Sequence, residues 1–211
     1  VFGGRTRIVI QISVGVLAGG LSRRMGRDKA FLPIGGRPVI QRVLDRVSQV
    51  SDDVIIVTNA PDRYRFCTAC RLVGDVFPGK GSLGGIYTAL TLARNYYCLI
   101  VACDMPFLSV SLLQHLVSLA PGYDVVVPRI ADRLETTHAV YSTACLDAIR
   151  QQITLDDLRI RSFFDGMRVR VVEQTEVARY DAELRSFLNM NTPSDWERLQ
   201  QLAAEQERAA R

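Results

Sequence analysis

Ile8, Ile10, Ile12, Val14 and Val16 alternate with Val9, Gln11, Ser13 and Gly15. That two-residue period predicts a first strand over residues 8–17. The strand empties into a glycine- and arginine-rich loop, 18–29. Pro38 then stands where the first turn of a helix tolerates proline, and Val39, Ile40, Val43, Leu44 and Val47 recur at helical spacing. Short apolar runs predict strands at 54–58, 71–73 and 98–103, with a helix over 83–94 before the last. Further on the pattern predicts a helix at 109–119, strands at 124–127 and 137–141, a helix at 143–152 and an alternating segment at 168–173. Thr192-Pro193-Ser194-Asp195 reads as a helix start, with a capping threonine, proline at the first position and an acid three residues on.

Strands that alternate with helices imply an α/β chain: a mostly parallel sheet with crossover helices on both faces. We expect one domain over residues 13–200. Residues 1–12 form an N-terminal extension and the start of the first strand, and 201–211 a fraying end to the last helix.

Composition narrows the function classes. A chain of 211 residues with 48% hydrophobic and 23% charged positions is globular rather than disordered. Its 26 basic and 22 acidic residues leave a formal charge of +4, too little for wholesale nucleic-acid binding. No apolar run reaches the roughly 18 residues of a membrane span. Arg5 and Arg7 before the first apolar run imitate a secretory leader, but the alternation and the later Arg23 and Arg24 argue against one. Five scattered cysteines point to a reducing, cytoplasmic setting. Cys67 and Cys70 lack the second pair that a zinc site needs.

In open α/β sheets ligands bind beyond the carboxyl ends of the strands. Those ends carry Ala18-Gly19-Gly20, Asn59, Asp75 and Asp104. Glycines let backbone N–H groups approach an anion, and Arg23, Arg24, Arg27 and Lys29 add countercharge, so the first loop suits a polyphosphate; the plain alternative is a solvated basic turn. Gly74, Gly79 and Lys80 imitate a Walker A loop, but Gly81 stands where the magnesium-binding hydroxyl belongs. Gly79-x-Gly81-x-x-Gly84 spells the dinucleotide fingerprint, with Asp104 twenty residues on. That keeps a nicotinamide-linked oxidoreductase as a competitor, although the motif is displaced from its strand by residues 75–78. Asp75 and Asp104 each end an apolar strand, where a carboxylate either meets a metal or phosphate partner or caps the following turn. His115 fits a boundary position on a helix. His138 has no visible nucleophilic partner.

Leu17-Ala18-Gly19-Gly20-Leu21-Ser22-Arg23-Arg24-Met25-Gly26-Arg27-Asp28-Lys29 resembles the motif of molybdenum cofactor guanylyltransferases within the nucleotidyltransferase superfamily. The likeness continues in Leu32-Pro33, Gly36-Arg37-Pro38, Asn59, Asp75, Pro78-Gly79-Lys80-Gly81-Ser82-Leu83-Gly84-Gly85-Ile86, Cys103-Asp104-Met105-Pro106-Phe107 and Asn189-Met190-Asn191-Thr192-Pro193-Ser194-Asp195. The resemblance implies a single Rossmann-like nucleotidyltransferase domain that joins GMP from Mg-GTP to the terminal phosphate of molybdopterin. By position, it implies that Leu17, Ala18, Gly19 and Gly20 wrap the nucleotide and that Arg24 and Lys29 hold the triphosphate. Asn59 and Asp75 then touch the guanosine, and Asp104 binds Mg2+. Asn189 and Asn191 fall on the pterin side. Ser82 departs from the family's usual proline. Partners implied are GTP, molybdopterin, and transiently the proteins that deliver molybdopterin or the apo-molybdoenzymes that receive it. Alternatives are a molybdopterin cytidylyltransferase, a sugar-phosphate nucleotidylyltransferase and a degenerate nucleotide-binding regulator; the Leu-Ala-Gly-Gly run resembles the guanine-using version.

Overall fold

The computed structural model describes residues 10–19 and 29–209. The elements in chain order are β1 (Ile12–Leu17), β2 (Pro33–Ile34), β3 (Arg37–Pro38), α1 (Val39–Val47), β4 (Asp53–Val57), β5 (Arg71–Val73), α2 (Gly81–Leu92) and β6 (Tyr97–Ala102). They continue with α3 (Val110–Ser118), β7 (Val125–Ile130), β8 (Arg133–Leu134), β9 (His138–Ser142), α4 (Leu146–Thr154), β10 (Val169–Glu173), α5 (Gln174–Val177) and α6 (Pro193–Ala209). The main sheet runs β10-β7-β9-β6-β1-β4-β5, with β8 paired to β7, and β2 and β3 form a separate hairpin. β6, β1, β4 and β5 are mutually parallel, as are β7 and β10. β9 runs antiparallel between β6 and β7.

Strand alternation sorts the core into two layers. Ile12, Val14, Val16, Val54, Ile56, Leu99 and Val101 pack toward α1, α3 and α6. Ile55, Val57, Cys98 and Ile100 pack on the opposite face, toward α2 and α4. A sheet covered on both faces needs apolar residues at nearly every position, which is why 98–103 reads as one continuous apolar run. Gly15 makes the contact with α2 close: a Cβ there would lie 2.6 Å from the Ala89 Cβ and 2.8 Å from the Ile100 Cδ1.

Three expectations change. The first strand is regular only from Ile12; Ile10 and Gln11 precede it without strand pairing, and residues 8 and 9 lie outside the described residues. Pro38 precedes α1 as its N-cap rather than lying in its first turn. The end of the last helix, expected to fray over 201–211, is helical through Ala209, and Leu199 and Ala203 are buried against the core and tie its later turns down. Cys67 and Cys70 form a disulfide across a tight turn, and Cys98, Cys103 and Cys145 are in no disulfide among the described residues. Among those residues no helix is long and apolar enough to cross a membrane.

Candidate active site

The strand ends are tied to one another by backbone hydrogen bonds that continue the sheet past its last regular pairs. Cys103 N–H donates to Leu17 O (3.1 Å), Ala18 N–H to Val57 O (2.9 Å) and Thr58 N–H to Val73 O (2.9 Å). These bonds hold the residues just beyond β6, β1, β4 and β5 in one row. Below the row lies a cavity of about 370 Å3, within the range of small-molecule sites. Leu17, Gly19, Asn59, Asp75, Gly79, Gly81, Ser82, Gly85 and Asp104 line it. The structure thus brings together the sequence-derived candidates Leu17, Gly19, Asn59, Asp75 and Asp104. Ala18 sits in the same row. Gly20 and Arg24 lie outside the described residues.

Gly79 (φ 82°) and Gly81 (φ 59°) take left-handed backbone that other residues rarely adopt. They fold 78–81 into a tight loop before α2. That loop is separated from β5 by residues 74–77, so the Gly79–Gly84 fingerprint does not open off its strand as a dinucleotide site requires.

Asn59 and Asp75 are mutually arranged: the Asn59 Oδ1 accepts the Asp75 N–H (3.1 Å). Asp75 Oδ1 accepts the Phe77 N–H (3.2 Å) and lies 2.8 Å from Thr88 Oγ1. Asp75 therefore caps the turn into the glycine loop as well as facing the cavity. Thr88 is buried on α2, and its Oγ1 also accepts the Val76 N–H (2.9 Å). Sequence reading missed Thr88, because a threonine inside a helical pattern carries no local sign of a distant carboxylate.

Asp104 follows β6. Burial pushes its carboxyl above the usual range, and the positive charge of Lys29 offsets this in part. Lys29 opens a single 3-10 turn and donates from Nζ to Asn191 Oδ1 (2.8 Å). Met190 N–H donates to Asp104 O (3.2 Å), so the 189–191 segment is fastened to the same edge. Thr192 and Asp195 cap α6 reciprocally: Asp195 N–H donates to Thr192 Oγ1 (3.1 Å), and Asp195 Oδ2 accepts the N–H groups of Thr192 (2.7 Å) and Asn191 (2.9 Å). Asn189 is set beside these residues in the chain, with its Oδ1 buried and without a partner among the described residues.

Among the described residues no group of three His, Cys, Asp or Glu side chains could hold a metal by itself. Asp104 is instead a donor suited to a divalent cation shared with a substrate. Mg2+ usually keeps several waters and takes one or two carboxylates plus phosphate oxygens, and a desolvated carboxylate near a lysine is such a donor.

The histidines take no part in this cavity. His115 Nε2 lies 2.9 Å from Glu176 Oε1 and stacks on Tyr180. His138 is fully buried and packs against Phe187, and burial lowers its pKa to about 4, so it is neutral. Thr137, also missed, lines the cavity because β9 runs antiparallel to β6 and starts at the edge where β6 ends.

A family described as MobA-like NTP transferase domain matches residues 14–177. A probable molybdenum cofactor guanylyltransferase of Pelotomaculum thermopropionicum is 38% identical over 188 residues, 89% of this chain and 91% of that protein. The molybdenum cofactor guanylyltransferase of Desulfosudis oleivorans is 38% identical over 185 residues, 87% of this chain and 91% of its own. Among solved structures, molybdopterin-guanine dinucleotide biosynthesis protein A of Archaeoglobus fulgidus superposes with a TM-score of 0.80 at 27% identity, covering 92% of this chain and 99% of that one.

Proposed function

Because the chain belongs to the MobA-like NTP transferase family, we propose that it transfers GMP from Mg-GTP to the terminal phosphate of molybdopterin, releasing pyrophosphate. The observation that carries this reading is the edge cavity, with the Asn59–Asp75 pair toward one end and the desolvated Asp104 near Lys29 toward the other. That layout suits a nucleoside triphosphate lying across β4, β1 and β6. Asn59 and Asp75 face the guanosine, Leu17, Ala18, Gly19 and Gly20 wrap it, and Lys29 with Arg24 holds the phosphates.

The acceptor is a phosphate monoester, whose second pKa lies near 6. It is largely dianionic at neutral pH and attacks the α-phosphorus without a general base. The neutral, walled-off His138 is in keeping with such a reaction. What the protein must supply is alignment of two anions and neutralisation of charge as pyrophosphate leaves. Lys29 brings a cation whose position Asn191 fixes. Magnesium, held by Asp104 and the triphosphate, would add charge neutralisation at the departing oxygens. Asn189 and Asn191 flank the side from which the pterin substrate enters. GTP as donor places the reaction in the cytoplasm, with molybdopterin handed over through transient contacts.

Base choice is tested by a thermal-shift panel of GTP, CTP, ATP and NADH, each with and without magnesium. A ligand that binds only the native state raises Tm. Mg-GTP should give the largest rise; a larger rise with Mg-CTP would move the assignment to a cytidylyltransferase.

A further inference from the structure

Cys67 and Cys70 do not line the nucleotide cavity, yet their place in the fold connects them to it. Both are half-buried and line a second surface cavity of about 390 Å3, alongside Leu44, Val54 and Phe66. A small thiol can therefore reach their bond from solvent. The proposed reaction is cytoplasmic, and disulfides in that setting are usually transient and either catalytic or redox-sensing.

The bond has one fixed side and one side that bears on the site. Cys70 adjoins Arg71, the first residue of β5, whose guanidinium lies 2.7 Å from the buried Asp53 carboxylate. On the other side, the Cys67 N–H donates to Tyr64 O (3.0 Å), at the end of a 3-10 turn over Pro61–Tyr64. That turn begins two residues after Asn59. The segment closes on Phe31. Its ring lies 5.1 Å from the ring of the buried Tyr64 and 6.2 Å from that of Phe66, the neighbour of Cys67 in the chain. The Arg63 guanidinium sits 4.8 Å from the same Phe31 ring. Phe31 ends the three-residue turn that Lys29 opens, and Lys29 reaches from it to Asn191. The disulfide thus clamps a segment to the anchored start of β5, and that segment packs against the turn that carries Lys29.

We propose that Cys67–Cys70 is a thiol–disulfide exchange site whose state sets the affinity for the nucleoside triphosphate through Phe31. The inference rests on the reading that Lys29 holds the phosphates. The co-substrate class is a dithiol. One of its thiolates attacks a sulfur of the bond, forming a mixed disulfide and releasing the other cysteine as a thiolate, which takes up a proton. The second thiol of the dithiol then displaces the remaining cysteine, which is protonated in turn. Two electrons pass to the protein, thiols form at 67 and 70, and the dithiol leaves as a disulfide. With the bond open the 67–70 turn gains freedom and Phe31 loses a fixed neighbour. Lys29 must then be ordered as the phosphates bind, which weakens binding.

The test measures Kd for Mg-GTP and for Mg-CTP with the whole chain, held either in dithiothreitol or in its cyclic disulfide, while maleimide labelling counts thiols. Reduction should expose the thiols of Cys67 and Cys70, and Kd for the preferred nucleotide should rise on the order of 2- to 30-fold, the usual span of such couplings. The double variant Cys67→Ser, Cys70→Ser should bind like reduced wild type and ignore dithiothreitol. Phe31→Leu should keep the exchange and lose most of the difference in Kd. Equal Kd values in the two states of wild type overturn the proposal, and so does a full difference in Phe31→Leu. A difference that survives in the double variant also overturns it, since that would place the effect at Cys103 in the nucleotide cavity. A preference for Mg-CTP with the redox difference intact supports the coupling and fails the guanylyl reading alone. Binding of neither nucleotide in either state overturns both.

Discussion

Asp104 carries a conflict that a purely structural residue would not. Its charge is desolvated and only partly compensated by Lys29, and an uncompensated buried carboxylate destabilises the fold that holds it. Asp104→Asn removes that charge at nearly constant shape. The variant should lose most metal-dependent turnover while its Tm without ligand stays level or rises. A fall in both would mark Asp104 as a turn cap. Lys29→Ala removes the cation held by Asn191, and kcat/KM for GTP should fall on the order of tenfold to a thousandfold, as for single electrostatic contacts in a transition state. Activity equal to wild type would put Lys29 on the solvated face. At this scale the sequence was legible where a polar residue ends an apolar strand: Asn59, Asp75 and Asp104 stand out and share one cavity. Thr88 was not legible, because its meaning comes from Asp75 and Val76, a dozen or so residues away in the chain.

Between elements, α2 approaches β1 closely at Gly15. Gly15→Ala forces a methyl into the Ala89 and Ile100 side chains, an overpacking that costs about 1–3 kcal/mol. Thermal melts should show a lower Tm, by on the order of 2–4 °C per kcal/mol for a chain of this size. No change would mean that α2 rides freely on the sheet. Ion pairs fasten other elements and give an acid limit. Hydrogen bonds from Arg168 hold the Asp124 carboxyl below its ordinary 3.8, and Asp53 is held low because bonds from Ser13, the Arg94 N–H and Arg71 overcome its burial. Both contributions are present above the unfolded pKa near 4 and are lost as pH falls through the lower folded values. Melts should therefore show Arg168→Gln lowering Tm more at pH 7 than at pH 3; an equal drop at both would separate Asp124 from acid stability. Helix existence was legible from apolar spacing, as in α1 and α3. Helix ends were less so, since α6 holds through Ala209 by burial of Leu199 and Ala203 rather than by any stop signal.

For the whole molecule, alternation of strands and helices was enough to announce a mostly parallel sheet covered on both faces. Strand direction was not: nothing in residues 137–141 says that β9 runs antiparallel, yet that reversal brings Thr137 to the edge shared with Asp104. In the proposed reaction the nucleoside lies over β4 and β5 and the reacting phosphates lie at β6. In that reaction GMP crosses this edge to a pterin phosphate. The most direct measurement incubates the purified protein with molybdopterin, magnesium and either GTP or CTP, and follows pyrophosphate release together with the dinucleotide formed. Molybdopterin guanine dinucleotide and pyrophosphate should form in equal amounts with GTP, and turnover with CTP should be far slower. Preferential formation of the cytosine dinucleotide, or pyrophosphate release that does not depend on molybdopterin, would contradict it.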